Sequence, residues 1–249
     1  MPSIYALLVG INDYSKAGAA NLGGCLDDIA FYESFLRERY PEALKLETRK
    51  DSEATRDNIV AAFRSHLSKA EKDDVALFIY AGHGARWKSA PEFARFPSDG
   101  YDEGLVCYDS RSESGKYDLA DKELAMLLQE VAANDPHIAV ILDSCHSGSA
   151  TRSVDALEGA RTRATLTVNE ARPFDSYLDG QYVKRSAENQ DFVLPESKHI
   201  LLAACSRTQE ALEMNGRGNF SRNMESVLNA TGGNVSYADL YSRCRAAMR

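Results

Sequence analysis

Val75-Ala76-Leu77-Phe78-Ile79-Tyr80-Ala81-Gly82-His83-Gly84 and Ile138-Ala139-Val140-Ile141-Leu142-Asp143-Ser144-Cys145-His146-Ser147-Gly148 share one design. In each, an apolar, β-branched-rich run ends in glycine beside a reactive side chain. Such runs read as buried strands of a parallel sheet covered on both faces. Open α/β sheets carry their chemistry outside the carboxyl ends of the strands. The reading therefore puts His83 and Cys145 at two such ends. A thiol and an imidazole there are the minimum equipment of a cysteine nucleophile with a general base.

Outward from these runs, strand and helix patterns alternate. Residues 4–9 read as a strand ending at Gly10, and 26–39 as an amphipathic helix stopped near Pro41. A short strand is expected over 44–48 and a second helix over 54–70, with Ile59, Val60, Phe63 and Leu67 on one face. After the His83 strand, residues 86–117 are irregular apart from a small hairpin strand over 104–108. A third helix is expected over 119–133, a buried strand over 199–204, and closing helices over 221–228 and 237–248. Residues 149–197 show no clear periodicity and many charges, a long stretch of a kind that is usually functional or mobile. The β-α repetition predicts an α/β fold, a three-layer α/β/α sandwich with a mostly parallel central sheet, built as a single domain over 1–249 with a mobile insert at 149–197.

The 249 residues are 44 % hydrophobic, enough to bury a core without crosslinks. The net charge of −8 argues against nucleic acid or an anionic membrane as partner. The five cysteines are odd in number, widely spaced and without a CxxC pair, which points to a reducing, cytoplasmic setting. No run is long and apolar enough to span a membrane, and no signal peptide is expected at the start.

An ordinary thiol, with a pKa near ~8.5, is mostly protonated at neutral pH, so Cys145 needs His83 to take its proton and return one to the leaving group. Gly82 and Gly84 let the backbone turn sharply around His83. The N–H groups of Gly84 and Cys145 are the natural oxyanion hole, a device that lowers a barrier by ~3–4 kcal/mol. No third side chain is obvious, and a backbone carbonyl is the alternative for orienting the imidazole. Taken singly, a cysteine after a strand is more often a small buried hydrophobe. Cys25, Cys107, Cys205 and Cys244 are read that way, and His66, His137 and His199 as structural or surface residues. Cys145-His146 next to His83 could in principle bind zinc, but a further ligand at suitable spacing is missing.

The paired motifs Tyr80-Ala81-Gly82-His83-Gly84 and Asp143-Ser144-Cys145-His146-Ser147-Gly148 closely resemble those of the caspase-like cysteine peptidases, in their metacaspase and bacterial caspase-homologue branch. Residues 5–14 (Tyr5-Ala6-Leu7-Leu8-Val9-Gly10-Ile11-Asn12-Asp13-Tyr14), 22–30, 199–206 and 218–221 extend the match over nearly everything outside 149–197. The resemblance implies the caspase-hemoglobinase fold and peptide-bond hydrolysis through an acyl-enzyme, with Cys145 as nucleophile and His83 as base. It further implies a protein or peptide as substrate, no cofactor needed for the chemistry, and calcium as an activator in many members. An activating partner or an attached domain is also in keeping with the family, and the oligomeric state stays open.

A pocket for arginine or lysine needs buried carboxylates. Asp143 stands two residues before Cys145, and Asp28 matches the acidic pocket residue of the metacaspase branch. Taken alone, Asp28 also reads as a charge stabilising a helix N-terminus. Ala81 departs from the serine that some metacaspases carry before Gly-His. Cleavage after Arg or Lys is the favoured reading, with Arg161, Arg163, Lys184 and Arg185 of the insert as candidate sites of self-cleavage. The same insert read otherwise is a shield over the cleft or a solvated loop. The acidic run with Asp99, Asp102 and Glu103 is the candidate calcium site, although its spacing is not that of an EF-hand. The alternatives are a catalytically silent scaffold of this fold, a partner-activated effector protease of a stress or defence pathway, and, last, a nucleotide-binding domain that lacks any phosphate loop.

Overall fold

The structure is a computed structural model that describes residues 2–96, 99–145, 160–188, 193–204 and 211–247. In chain order its principal elements are β1 (Ile4–Gly10), α1 (Cys25–Arg39), β2 (Leu44–Lys50), α2 (Arg56–Ser65), β3 (Val75–Ala81), β4 (Gly84–Lys88), β5 (Tyr101–Leu105) and β6 (Leu119–Ala120). There follow α3 (Asp121–Ala132), β7 (His137–Asp143), β8 (Arg161–Thr162), β9 (Val168–Ala171), α4 (Gln181–Glu188), β10 (Ile200–Ala203), β11 (Leu212–Met214), β12 (Arg217–Gly218), α5 (Asn219–Thr231) and α6 (Tyr237–Ala247).

The central sheet has the order β10-β7-β3-β1-β2, and every pairing in it is parallel. The apolar runs of β1, β3 and β7 form its buried middle, as continuous hydrophobic strands should. The chain steps from β1 out to β2 and then back across β1 to β3. With right-handed crossovers, that reversal puts α1 and α2 on opposite faces. α1 packs with α5, which packs with α6, while α2 packs with α3, giving the two helical layers of the expected sandwich. Two small sheets, β6-β5-β4-β9 and β12-β11-β8, sit beside it. Among the described residues no helix is long and apolar enough to cross a membrane.

Several boundaries depart from the sequence expectation for identifiable reasons. The second helix stops at Ser65, because the His66 ring turns inward and its Nε2 lies 3.1 Å from the carbonyls of both Ala6 and Lys45. Its start is set by Thr55, whose hydroxyl accepts the Asn58 N–H. The third helix begins at Asp121 rather than Leu119, since Leu119 and Ala120 pair with β5, and the Glu123 carboxylate caps the helix by accepting the Ala120 N–H. The hairpin strand lies at Tyr101–Leu105; Val106 leaves it to bond His83 and Tyr80.

The expectation of no regular structure over 149–197 is corrected for its described part, where residues 160–188 contain β8, β9 and α4. These pieces are too short to show a period. They are held by side chains reaching far in sequence: Arg172 on Glu123, Tyr177 on Asp102 and Tyr182 on the Lys122 carbonyl. His146, Ser147, Gly148, Cys205 and Ser206 of the sequence motifs lie outside the described residues.

Candidate active site

β3 and β7 are neighbours, with Ala81 directly opposite Asp143. His83 and Cys145 each stand two residues beyond that pair, so the sheet brings both to one edge despite their distance in the chain. The Gly82 N–H reaches the Asp143 carbonyl at 3.3 Å, tying the two strand ends together. A side chain at Gly82 would collide with the hydroxyls of Tyr14 and Tyr80, which explains the glycine.

The His83 backbone is clamped on both sides. Its N–H donates to the Tyr14 hydroxyl (2.7 Å), and its carbonyl accepts from the Tyr80 hydroxyl (2.8 Å) and the Val106 N–H (3.0 Å). The Tyr14 ring packs on the imidazole with centroids 4.6 Å apart. Nε2 lies 2.7 Å from the Ala20 carbonyl. A carbonyl can only accept, so Nε2 carries the hydrogen and Nδ1 keeps its lone pair. That Nδ1 is buried with no hydrogen-bond partner among the described residues. Burial, helped by the Arg163 charge and opposed by the Ala20 hydrogen bond, pushes the imidazole pKa down to about 4. The His83 imidazole is thus neutral at physiological pH.

The segment holding Arg163 lies across this edge. Arg163 is wholly buried, and its guanidinium meets three carboxylates: Asp28 at 2.6 Å, Asp143 at 3.1 Å and Glu213 at 3.3 Å. Each acid is braced from elsewhere. Asp28, in the first turn of α1, accepts from Arg217 (2.6 Å) and the Gly218 N–H (3.1 Å). Asp143, at the end of β7, accepts from the N–H (3.0 Å) and hydroxyl (2.6 Å) of Ser221. Glu213, on β11, accepts from the N–H groups of Gly23 (2.8 Å) and Gly24 (3.0 Å). Burial pushes the Asp28 carboxyl up against the pull of Arg163. Burial would also lower the Arg163 pKa, but the facing carboxylates, Asp143 foremost, hold it well above the ordinary value.

The backbone of the same residue is engaged as closely as its side chain. The Arg163 carbonyl oxygen accepts from the Gly84 N–H at 2.9 Å and the Cys145 N–H at 3.0 Å. Its own N–H donates to the Ala211 carbonyl (2.9 Å), and β8 pairs antiparallel with β11 just before it. Beyond it, the Thr165 N–H donates to the Gly84 carbonyl at 2.9 Å. Two N–H groups converging on one carbonyl oxygen can stabilise negative charge developing on that oxygen.

The other sequence candidates fall elsewhere. Arg161 is exposed and reaches the Asn21 carbonyl at 3.1 Å; Lys184 is exposed on α4, and Arg185 bonds Gln129 at 2.6 Å. The acidic run does not converge. Asp99 pairs with Arg86 at 2.9 Å, while Asp102 is buried against the Lys122 ammonium and the hydroxyls of Ser89 and Tyr177. As arranged, these carboxylates do not fit a calcium cage. Among the described residues, no cluster of three His, Cys, Asp or Glu side chains could hold a metal. Cys25, Cys107 and Cys244 are buried, in line with their reading as small hydrophobes. Sequence reasoning gave no role to Glu213, Tyr14 or Ala20; Tyr14 stands within the quoted 5–14 stretch, whereas Glu213 and Ala20 carry no local motif.

Comparison with known proteins agrees with this architecture. The solved structure of protein GSU0716 from Geobacter sulfurreducens superposes with a TM-score of 0.70 at 24 % identity, covering 100 % of this chain and 90 % of that one, a likeness of fold. The family model of the metacaspase peptidase C14 domain matches residues 5–153. The chain therefore belongs to the metacaspase family of caspase-like peptidases. It is similar to Metacaspase-1 of Pyricularia oryzae, 32 % identical over 152 residues, and to Metacaspase-1A of Aspergillus oryzae, also 32 % identical over 152 residues. Each alignment covers 58 % of this chain; the aligned part is 36 % of the first relative and 34 % of the second, so the match spans about a third of their length.

Proposed function

We propose that this chain is a cysteine endopeptidase that cuts after basic residues, and that its first substrate is its own Arg163–Ala164 bond. The observation that carries the reading is the double engagement of Arg163: a guanidinium on buried acids and, at once, a carbonyl oxygen on the N–H groups of Gly84 and Cys145. A purely structural arginine needs only the first.

In this reading the Cys145 thiol gives its proton to His83 Nδ1, and its sulfur adds to the Arg163 carbonyl carbon. The oxyanion gathers on the Gly84 and Cys145 N–H groups. The C–N bond to Ala164 then breaks as His83 returns the proton to the departing amine. Water, deprotonated by the same nitrogen, hydrolyses the thioester, restoring the thiol and leaving a carboxylate on Arg163. Ala20 holds the imidazole tautomer that this cycle needs, and Tyr14 and Tyr80 hold its backbone. Until the bond is cut, the segment fills the cleft and keeps other peptides out. A reducing compartment suits an enzyme that depends on a thiol.

The test is mass spectrometry of the purified chain over time, alongside hydrolysis of matched fluorogenic peptides ending in Arg, Lys or Asp. Wild type is expected to yield fragments ending at Arg163 and to turn over the Arg and Lys peptides. Cys145→Ala should do neither. Peptide turnover by a chain that stays intact would remove self-cleavage alone. Preference for Asp would overturn the basic specificity, and no turnover at all would overturn the peptidase reading itself.

A further inference from the structure

Burial alternates along the segment across the proposed cut. Arg163 and Thr165 are buried, whereas Ala164 is half-buried and Leu166 is 70 % exposed. That is the period of a strand, whose successive side chains point to opposite faces. The strand has a partner: Ala164 pairs in parallel with Gly84, and farther along Val168 pairs with Trp87 of β4. Gly84 grips both sides of the Arg163–Ala164 bond. Its N–H donates to the Arg163 carbonyl and its carbonyl accepts the Thr165 N–H, each at 2.9 Å. An extended chain added to a sheet edge in this way is held by its backbone and read at alternate side chains. Beyond the cut, the side chain placed to be read is Thr165. Its hydroxyl donates to the Gly84 carbonyl at 3.4 Å and accepts from Arg111 Nη2 at 3.3 Å. Arg111 is itself fixed, with the same nitrogen on the Asp118 carboxylate at 2.6 Å and its backbone N–H on the Lys116 carbonyl at 2.7 Å. Ala164 and Leu166 instead border an open cavity of about 850 Å³, closed on its other side by residues 18–22.

We infer that Arg111 is a specificity-determining residue on the leaving side of the cut, forming with the Gly84 carbonyl a subsite for a small hydroxyl side chain, threonine or serine, two residues beyond the bond. The inference rests on the reading of Arg163–Ala164 as the bond that is cut. A site whose buried polar groups are left bare by the wrong substrate discriminates by orders of magnitude. Here both groups keep a second partner when the hydroxyl is absent, the Thr165 N–H for Gly84 and Asp118 for Arg111, so the discrimination is modest. A carboxylate in the same place would meet two acceptors, Asp118 and the Gly84 carbonyl, beside a guanidinium that is already paired.

The test uses internally quenched peptides that share an Arg-Ala centre and carry Thr, Ser, Val or Asp as the next residue, followed by Leu. Val has the shape of Thr without the hydroxyl. In wild type, Thr and Ser are expected to exceed Val and Asp by about 5-fold in kcat/KM, the scale of one net hydrogen bond. Replacing the following Leu by Ser should leave the rate nearly unchanged, because that side chain faces the open cavity. In Arg111→Ala the preference for Thr over Val should fall close to one. A ratio taken within one enzyme is untouched by a general loss of activity from stranding Asp118. If Arg111→Ala does not fold, the double variant Arg111→Ala, Asp118→Asn strands no charge and gives the same readout. Equal cutting of the Thr and Val peptides by wild type, with Arg peptides still turned over, would overturn the inference alone. So would a ratio that survives in Arg111→Ala. Preference for Asp would make Arg111 a receptor for anions and overturn it as well. If wild type cut no Arg peptide, the inference would fall together with the peptidase reading.

Discussion

Arg163 and Arg172 sit nine residues apart on one segment, both buried and both on carboxylates, yet their surroundings differ in kind. Arg172 makes a two-pronged pair with Glu123, at 2.9 and 3.2 Å, donates to the carbonyls of Asp118 and Ser176, and lies against the rings of Tyr117 and Tyr177. Glu123 is shared with Arg56 at 2.6 Å, so cations outnumber the acid. Burial would raise the Glu123 carboxyl, but Arg172 and Arg56 hold it below the ordinary range. Around Arg163 the balance is reversed: Asp28, Asp143 and Glu213 face Arg163 and Arg217, and removing Arg163 would leave three acids with one resident cation. A fixed anchor is neutralised by permanent partners, whereas a pocket for a visitor keeps a charge surplus for it. The bonds that follow differ as well, since Arg172 precedes Pro173 and Arg163 precedes Ala164.

The largest effect should come from removing each arginine in turn, in the Cys145→Ala background so that cutting does not intrude. Arg172→Ala strands buried polar groups inside the core, and a loss of about 3–5 kcal/mol is expected from denaturant unfolding, the range for breaking a buried ion pair. If Arg163 occupies a substrate pocket that opens to water when the segment leaves, as the proposed function requires, Arg163→Ala should cost clearly less. Equal losses would break the comparison and make Arg163 a second structural anchor.

A smaller effect separates the occupied from the open cleft by pH. Burial disfavours imidazolium, so the His83 imidazole stays neutral down to about pH 4. Self-cleavage should therefore hold its rate as pH falls toward 4 and decline below it. Were the segment to leave after the proposed self-cleavage, the imidazole would meet water, and the acid limb of peptide hydrolysis should move up toward the ordinary histidine value of about 6.5. Superimposable limbs would mean that the segment does not desolvate the site.

The smallest expected effect lies on the structural side. The buried Asp102 already has a cation, the Lys122 ammonium, beside the hydroxyls of Ser89 and Tyr177. Adding calcium or a chelator should leave turnover of the Arg peptide unchanged within about twofold, as a site with a resident cation does not gain from a second. A strict calcium requirement would show that the carboxylates rearrange around a metal.

The central sheet was legible because its strands announce themselves locally. A strand buried on both faces must be apolar at every position, and the runs before His83 and Cys145 could satisfy little else. The same runs placed His83 and Cys145 at one sheet edge, Asp143 stood out two residues before Cys145, and Asp28 came from the resemblance to the metacaspase branch. The helix boundaries were less legible. His66 and Leu119 end or delay helices through contacts with Ala6, Lys45 and β5, and a local period carries no trace of those partners. Residues 160–188 were least legible, since elements of two to eight residues are anchored there by an ion pair and buried tyrosines whose partners lie far away in the chain. What the sequence determined by itself was the sheet and the meeting of His83 and Cys145 at one edge of it, with Asp28 and Asp143 as candidate pocket acids. Only the tertiary structure brought Arg163, of the four basic candidates, onto buried acids and the Gly84 and Cys145 N–H groups, drew Glu213 in from a distant strand, and set the Ala20 carbonyl behind His83. Those choices rest on charge and hydrogen-bond geometry between residues far apart in the chain, and such geometry exists only once the chain has folded.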